Sequence, residues 1–369
     1  MSLLFLGPLP APVTGQSLAC QVFHDEIVKS RHVEVVNLNK SEFRQGISSF
    51  GRILEVLGMI GRIWQKRNAC DVIYLTISES VAGNLKDLLI YLVCFRRLSR
   101  MAIHLHGGAG MREIMLGRRS RLLRGLNLFF LRRLGAVIVL GQRHVGIFTD
   151  AVARERIHIV PNFAQDHLFT DAEGIDRKFA RVPPLRILFL SNLLPGKGHD
   201  ELVDGFLMLD EASRAAVEID FAGGFEAEDQ KTAFLEKIGG HSQLRYHGTV
   251  HGETKRRLFS EAHVFCLPTY YPYEGQPISI LEAYASGCAV ITTDHSGIFD
   301  IFQPDVNGYE VATASATALR AAIEKAIAET DRLHAMARTN NEMAKERYRT
   351  SRHTHELVAI MNVIQEQPR

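Results

Sequence analysis

The chain has 369 residues, of which 46% are apolar and 23% charged, with a formal charge of +2. This length exceeds a single ordinary core and divides most simply into two domains of about 150–200 residues each. No run approaches the roughly 18 uninterrupted apolar residues of a spanning helix, and five cysteines without a Cys-x-x-Cys pair exclude a disulfide framework and a zinc knuckle.

The N-terminus enters a strand-like run, Leu3-Leu4-Phe5-Leu6, without a basic lead or a small-residue cleavage site. A secretory signal is therefore not expected, and a reducing cytoplasm is. The near-neutral total conceals a split. Residues 1–163 hold 22 Lys and Arg against 11 Asp and Glu, whereas residues 164–369 hold 21 against 30. The first half is expected to face something anionic; membrane lipid, a phosphorylated acceptor and nucleic acid all fit.

Short apolar runs alternate with longer helical patterns along the chain, the mark of βαβ units and parallel sheets. Strands are predicted at Leu3–Leu6, Val33–Asn37, Val72–Leu75, Ala102–His106, Ala136–Leu140 and Ile157–Val160. A polar stretch ending in Pro-Pro, Asn162–Pro184, reads as a linker. The pattern then restarts with strands at Arg186–Ser191, Glu218–Ala222, Leu244–Tyr246, Val264–Leu267 and Ala289–Thr292. The last stretch, Ser315–Gln367, reads as mostly helical. Two successive α/β halves predict two Rossmann-like domains, with the ligand in a cleft at the carboxyl ends of the strands.

Candidate chemistry lies just past these strand ends. After the first strand comes Gly7-Pro-Leu-Pro-Ala-Pro-Val-Thr-Gly15, which is neither a Walker A loop nor a GxGxxG turn. In Ile103-His104-Leu105-His106-Gly107-Gly108 the two histidines alternate onto one face, with His106 at the carboxyl end. Residues 112–133 combine Arg112, Arg118, Arg119, Arg121, Arg124, Arg132 and Arg133 with Leu116, Leu122, Leu126 and Phe129. Leu123, Leu128, Phe130 and Leu131 belong to the same apolar set, and such a mostly helical stretch suits an anionic membrane surface. Nucleic acid suits it less, since no aromatic-interleaved module is evident. In Ser191-Asn192-Leu-Leu-Pro-Gly196-Lys197-Gly-His, a lysine on a Gly-rich strand-to-helix turn can neutralise a diphosphate.

The most specific string is Glu274-Gly275-Gln276-Pro277-Ile278-Ser-Ile-Leu-Glu282. Pro277 suits the first position of a helix, because its missing N–H costs nothing there. Amides around Gly275–Ile278 would then point at an anion. Glu282, about a turn and a half on, can reach ribose hydroxyls, and Glu274 can orient hydroxyls of a hexose.

The Glu274-to-Glu282 string resembles the Glu–seven–Glu signature of retaining glycosyltransferases of family 4, and the resemblance extends over nearly the whole chain. It implies a GT-B fold, with two Rossmann-like domains facing each other across a cleft and the C-terminal helix packed back on the first. The expected boundaries are residues 1–165 with a helix at 350–369 for an acceptor domain, and 175–345 for a nucleotide-sugar domain. It further implies that Glu274 holds the donor sugar, Glu282 the ribose and Lys197 the phosphates. Gly15 would lie where the backbone approaches phosphate or acceptor, and His106 would contact the transferred sugar. Tyr246-His-Gly248-Thr-Val250-His251 resembles the loop that clasps the nucleobase through backbone near Val250 and His251.

Many members have an arginine where this chain has Asn192, so the second phosphate is expected to take either a hydrogen bond from Asn192 or another basic group such as Arg143. The glycine usual after Pro161-Asn162 is Phe163. The implied reaction moves a sugar from a UDP- or GDP-sugar to a hydroxyl of a glycan or lipid-linked acceptor, without cofactor or metal, at the inner membrane face in cell-surface polysaccharide synthesis. Two rivals share the architecture: a nucleotide-sugar epimerase, which needs additional acid/base carboxylates, and a non-catalytic nucleotide-sugar-binding protein, which the change at Asn192 favours.

Overall fold

The computed structural model describes residues 2–11, 13–39, 49–117 and 120–366. The chain divides into two compact units, one running to Asn162 and regaining the chain at Ser351, the other spanning Phe163–Thr350.

In the first unit, strands β1 (Ser2–Gly7), β2 (His32–Asn37), β3 (Val72–Thr76), β4 (Met101–Leu105), β5 (Ala136–Val139) and β6 (Ile157–Ile159) form a parallel sheet in the order β2-β1-β3-β4-β5-β6. The helices are α1 (Gly15–Ile27), α2 (Ser49–Lys66), α3 (Val81–Val93), α4 (Ala109–Leu116), α5 (Arg121–Leu131) and α6 (Gln142–Val145). β3, β4 and β5 are buried along their whole length, as strands covered on both faces must be. Their alternation divides the core in two. Leu4, Ile73, Ile103 and Val137 enter one cluster. Leu3, Val72, Ala102 and Ala136 enter the other, together with Leu357, Ile360, Met361 and Ile364 of the C-terminal helix Thr350–Glu366. That helix therefore completes the first unit by covering one face of its sheet.

The second unit repeats the plan with β7 (Leu185–Leu190), β8 (Val217–Ala222), β9 (Leu244–Tyr246), β10 (Val264–Leu267), β11 (Ala289–Thr292) and β12 (Gly308–Glu310), in the parallel order β12-β11-β10-β7-β8-β9. Its helices are α7 (Ala172–Phe179), α8 (His199–Leu207), α9 (Glu211–Ala215), α10 (Glu228–Ile238), α11 (Gly252–Glu261), α12 (Ile278–Ala285), α13 (Ala316–Ala328) and α14 (Thr330–Arg347).

Three expectations need correction. The stretch read as a linker contains α7, buries Phe163, Ala164, Leu168 and Ile175, and is tied in by Ala164 N donating to Tyr348 O at 2.8 Å. Apart from the buried Asn162 and Lys178, its polar residues lie toward the outside of a packed segment. The basic stretch 112–133 comprises two helices, because α4 stops at Gly117 and Ser120 caps α5 by accepting from Leu123 N; Arg118 and Arg119 lie outside the described residues. Pro277 is the N-cap of α12, with an extended ψ of 120°, and Ile278 is the first helical residue. Among the described residues no helix is long and apolar enough to cross a membrane.

Candidate functional site

In the second sheet β7 sits between β8 and β10, so the loops leaving β7 and β10 diverge to opposite sides. A doubly wound sheet opens a crevice at such a switch point. Both sequence-predicted motifs emerge there. The β7 loop reaches α8 through Gly196 and Gly198, at φ 89° and 88°. A Cβ on Gly198 would in addition come within 2.5 Å of Pro268 O, so this turn admits only glycine. The turn is stitched to the β10 loop by Tyr270 N donating to Gly196 O at 2.7 Å.

The stitching brings Lys197 to Glu274. Nζ donates to Glu274 Oε2 at 2.6 Å, and both residues are buried. Thr269 Oγ1 lies 3.1 Å from the same carboxylate oxygen, and the ammonium stands 4.8 Å from the centroid of Tyr271, a cation–π distance. Glu274 is braced from the β11 side by Ser296 Oγ, which donates to Glu274 O at 2.7 Å, while Gly297 N donates to Gly275 O at 3.1 Å. The Ser296–Asp300 segment therefore shapes the site from behind. Four residues past Glu274, α12 begins without a side-chain cap. The amides of Ile278 and Ser279 have no intrahelical acceptor, and Gln276 beside them is buried. The other end of α12 meets the buried Lys178, whose Nζ donates to Ser286 O at 2.8 Å, a favourable cation at a helix C-terminus.

Glu282 is buried on α12 and takes a different cation. Lys255 Nζ, from α11, donates to Glu282 Oε1 at 2.6 Å and to Gln165 Oε1 at 3.0 Å. Burial raises the Glu282 pKa, and Lys255 opposes the shift. The spacing within 274–282 carries no trace of Lys255; its one linear signal is a position one turn after the His251 cap of α11. Val250 is half-buried against the core, whereas His251 and Asn192 are exposed.

The first unit holds the remaining candidates. Gly15 is the exposed first residue of α1, opened by a capping box between Thr14 and Ser17, and a Cβ there would meet nothing within 4 Å. Arg143 is exposed, and its carbonyl accepts from Arg112 at 2.8 Å. The rings of His104 and His106 adjoin at a tilt of 37°, with centroids 4.0 Å apart. Tyr74 Oη is 2.7 Å from Nδ1 of the fully buried His104. His353, from the C-terminal helix, stands 6.5 Å from the His104 ring centroid. Burial first and the nearby His353 second push the His106 pKa down to about 3, so His106 is neutral across the physiological range. Glu79, which the sequence reading passed over, follows β3. Its Oε2 accepts from Gly110 N at 3.1 Å, and burial raises its carboxyl to about 7 against the hydrogen bonds from Gly108 and Gly110.

Two parallel six-stranded sheets with helices on both faces, each an open Rossmann-like domain, define the GT-B class of fold. Over 98% of this chain and 100% of its counterpart, the structure matches Anabaena HepE in complex with UDP, at a TM-score of 0.73 and 16% identity. At that identity the likeness speaks for the fold. Residues 173–343, which lie within the second unit, match the family described as glycosyl transferases group 1. Mannosylfructose-phosphate synthase of Agrobacterium fabrum is 28% identical over 169 residues, covering 43% of this chain and 37% of its own length. The amylovoran biosynthesis glycosyltransferase of Erwinia amylovora is 28% identical over 142 residues, 37% of this chain and 35% of its own. The chain thus spans little more than a third of the length of these curated relatives.

Proposed function

We propose that this protein is a retaining glycosyltransferase that moves a sugar from a UDP- or GDP-sugar to a hydroxyl of a glycan or lipid-linked acceptor in cell-surface polysaccharide synthesis. The observation that carries the reading is the buried Lys197–Glu274 pair at the switch point, beside the uncapped start of α12. Support comes also from HepE, whose structures include complexes with UDP and UDP-glucose, and from the relative in amylovoran biosynthesis.

In the resting chain Glu274 occupies the Lys197 ammonium. A donor diphosphate, with more charge, takes that ammonium and the amides of Ile278 and Ser279, and Glu274 turns to the sugar hydroxyls. As the C–O bond to the diphosphate breaks, negative charge gathers on the leaving oxygen, where preorganised donors act most strongly. The anomeric carbon becomes oxocarbenium-like. A leaving-phosphate oxygen takes the acceptor proton, so that substitution occurs on one face and configuration is retained. Glu282 holds the ribose, Val250 and His251 the base, and His106 the transferred sugar as a neutral ring. In this scheme protein groups neutralise the diphosphate, so EDTA leaves turnover unchanged. Incubation with a panel of nucleotide sugars tests the reading. Hydrolysis or transfer supports it, interconversion of the sugars means an epimerase, and binding alone means a non-catalytic protein.

The membrane is the partner we assign to the basic first unit. Apolar stripes are exposed on three helices: Leu57 and Trp64 on α2, Leu85 and Leu92 on α3, Leu122 and Phe129 on α5. Contacts link α2 to α3 and α3 to α5. Single exposed apolar residues are ordinary; adjoining stripes mark an interaction surface. Arg132 and Arg133 flank the α5 stripe, Arg133 over the Phe129 ring at 3.9 Å, a pairing suited to anionic headgroups. Flotation with phosphatidylglycerol vesicles and a blue shift of Trp64 emission are expected; neither change at low salt would remove the assignment.

A further inference from the structure

We propose that Glu79 is the positioning residue for His106: its carboxyl clasps the turn that carries the histidine. The inference rests on the role given to His106 above.

The turn from β4 into α4 reads His106-Gly107-Gly108-Ala109-Gly110. It lies directly on the loop that follows β3, the neighbouring strand. Ile77 N donates to His104 O at 3.1 Å, which aligns the two strand ends. Beyond that point the strands no longer pair, and Glu79 replaces the ladder. Gly110 N donates to its Oε2 at 3.1 Å, and Gly108 N is the second donor to the carboxyl. Gly107 packs so closely that a Cβ there would overlap Glu79 Oε1, and a Cβ on Gly110 would overlap the Glu79 carbonyl. Gly107 is thus explained by the Glu79 carboxyl and Gly110 by the Glu79 backbone, each of which needs backbone at contact distance and leaves no room for a side chain. A carboxylate at a helix start commonly serves only to cap it. Here the capped amides and the packed glycine immediately follow the candidate residue, so displacing the carboxyl moves the backbone that sets the His106 ring. The ring adjoins His104 at a tilt, with 4.0 Å between centroids, and His104 is itself tied to Tyr74. His106 is therefore held from below by the strand and from its C-terminal side by Glu79.

The test uses the full-length protein with ring-labelled histidine and the variants Glu79→Ala, Glu79→Asp and Glu79→Gln. The His106 C2–H resonance is assigned by its loss in His106→Gln. Aspartate is one methylene too short to reach Gly110, whereas glutamine keeps a carbonyl acceptor at the same reach. The expected result is a shifted His106 resonance in the alanine and aspartate variants and its return in the glutamine variant. Turnover number should follow, falling about 100-fold in the first two, as misplaced groups do, with little change in the KM for donor. A folded aspartate variant whose His106 resonance is unmoved overturns the proposal whatever the turnover does. A moved resonance with unaltered turnover upholds the clasp and instead removes His106 from the reaction.

Discussion

In the resting second unit Lys197 and Glu274 neutralise one another, which makes their separate removal informative. Each side chain is 11% exposed, so deleting either leaves a charge stranded in a poorly solvated crevice. Breaking such a pair costs about 3 kcal/mol. For a unit spanning residues 163–350 that corresponds to roughly 6–12 °C in Tm. Lys197→Met and Glu274→Gln should each show this loss, and the double variant should regain most of it. Nucleotide binding should then separate the partners. Lys197→Met removes a charge-assisted bond to phosphate and should weaken UDP by about 10–100-fold. Glu274→Gln releases the ammonium from its internal partner, so UDP should bind as tightly as to the parent or tighter, while the UDP-sugar loses its hydroxyl contacts. Calorimetric titration of UDP into the three variants measures this. Equal weakening of UDP by both single substitutions would refute the partner exchange.

Three further outcomes follow from the geometry. Lys255→Ala strands Glu282 in a buried position, and stability should fall by about 3 kcal/mol, with recovery in Lys255→Ala/Glu282→Gln; thermal unfolding of the pair of variants decides it. Gly198→Ala places a side chain at φ 88° and 2.5 Å from Pro268 O, so it should destabilise by at least about 1–2 kcal/mol and abolish measurable UDP binding in a fluorescence competition assay. Glu79 supplies a pH signature. Its folded pKa of about 7 stands above its ordinary 4.5, so the folded chain retains a proton that the unfolded chain has released. Stability from this group is therefore highest below pH 4.5, declines as pH rises, and levels off above pH 7 with a total loss of about 3 kcal/mol. Urea unfolding followed by Trp64, the single tryptophan, should show that decline in the parent but not in Glu79→Gln; parallel pH profiles would contradict the assignment.

Much of this protein is determined by linear pattern. Fully buried parallel strands must be apolar on both faces, so runs such as Val72–Leu75 and Ala136–Leu140 announce themselves, and their alternation with helical stretches yields two α/β units. Turns with left-handed backbone demand glycine, which makes the Gly196-Lys197-Gly198 loop visible as a phosphate-type turn. The spacing of Glu274, Pro277 and Glu282 marks a helix start flanked by carboxylates. Composition misleads in 162–184, where polar residues on the outside of a packed segment look like a connector, and at Pro277, where the ring's fixed φ suits the N-cap as well as the first helical position. Only the tertiary structure decides which charges meet. Sheet order places the β7 and β10 loops side by side, so Lys197 finds Glu274 across 77 residues, and Lys255 finds Glu282 across 27. The same holds for Glu79 beneath His106-Gly107-Gly108, since electrostatic and steric partnership depends on distance in space, which strand order sets and sequence separation does not.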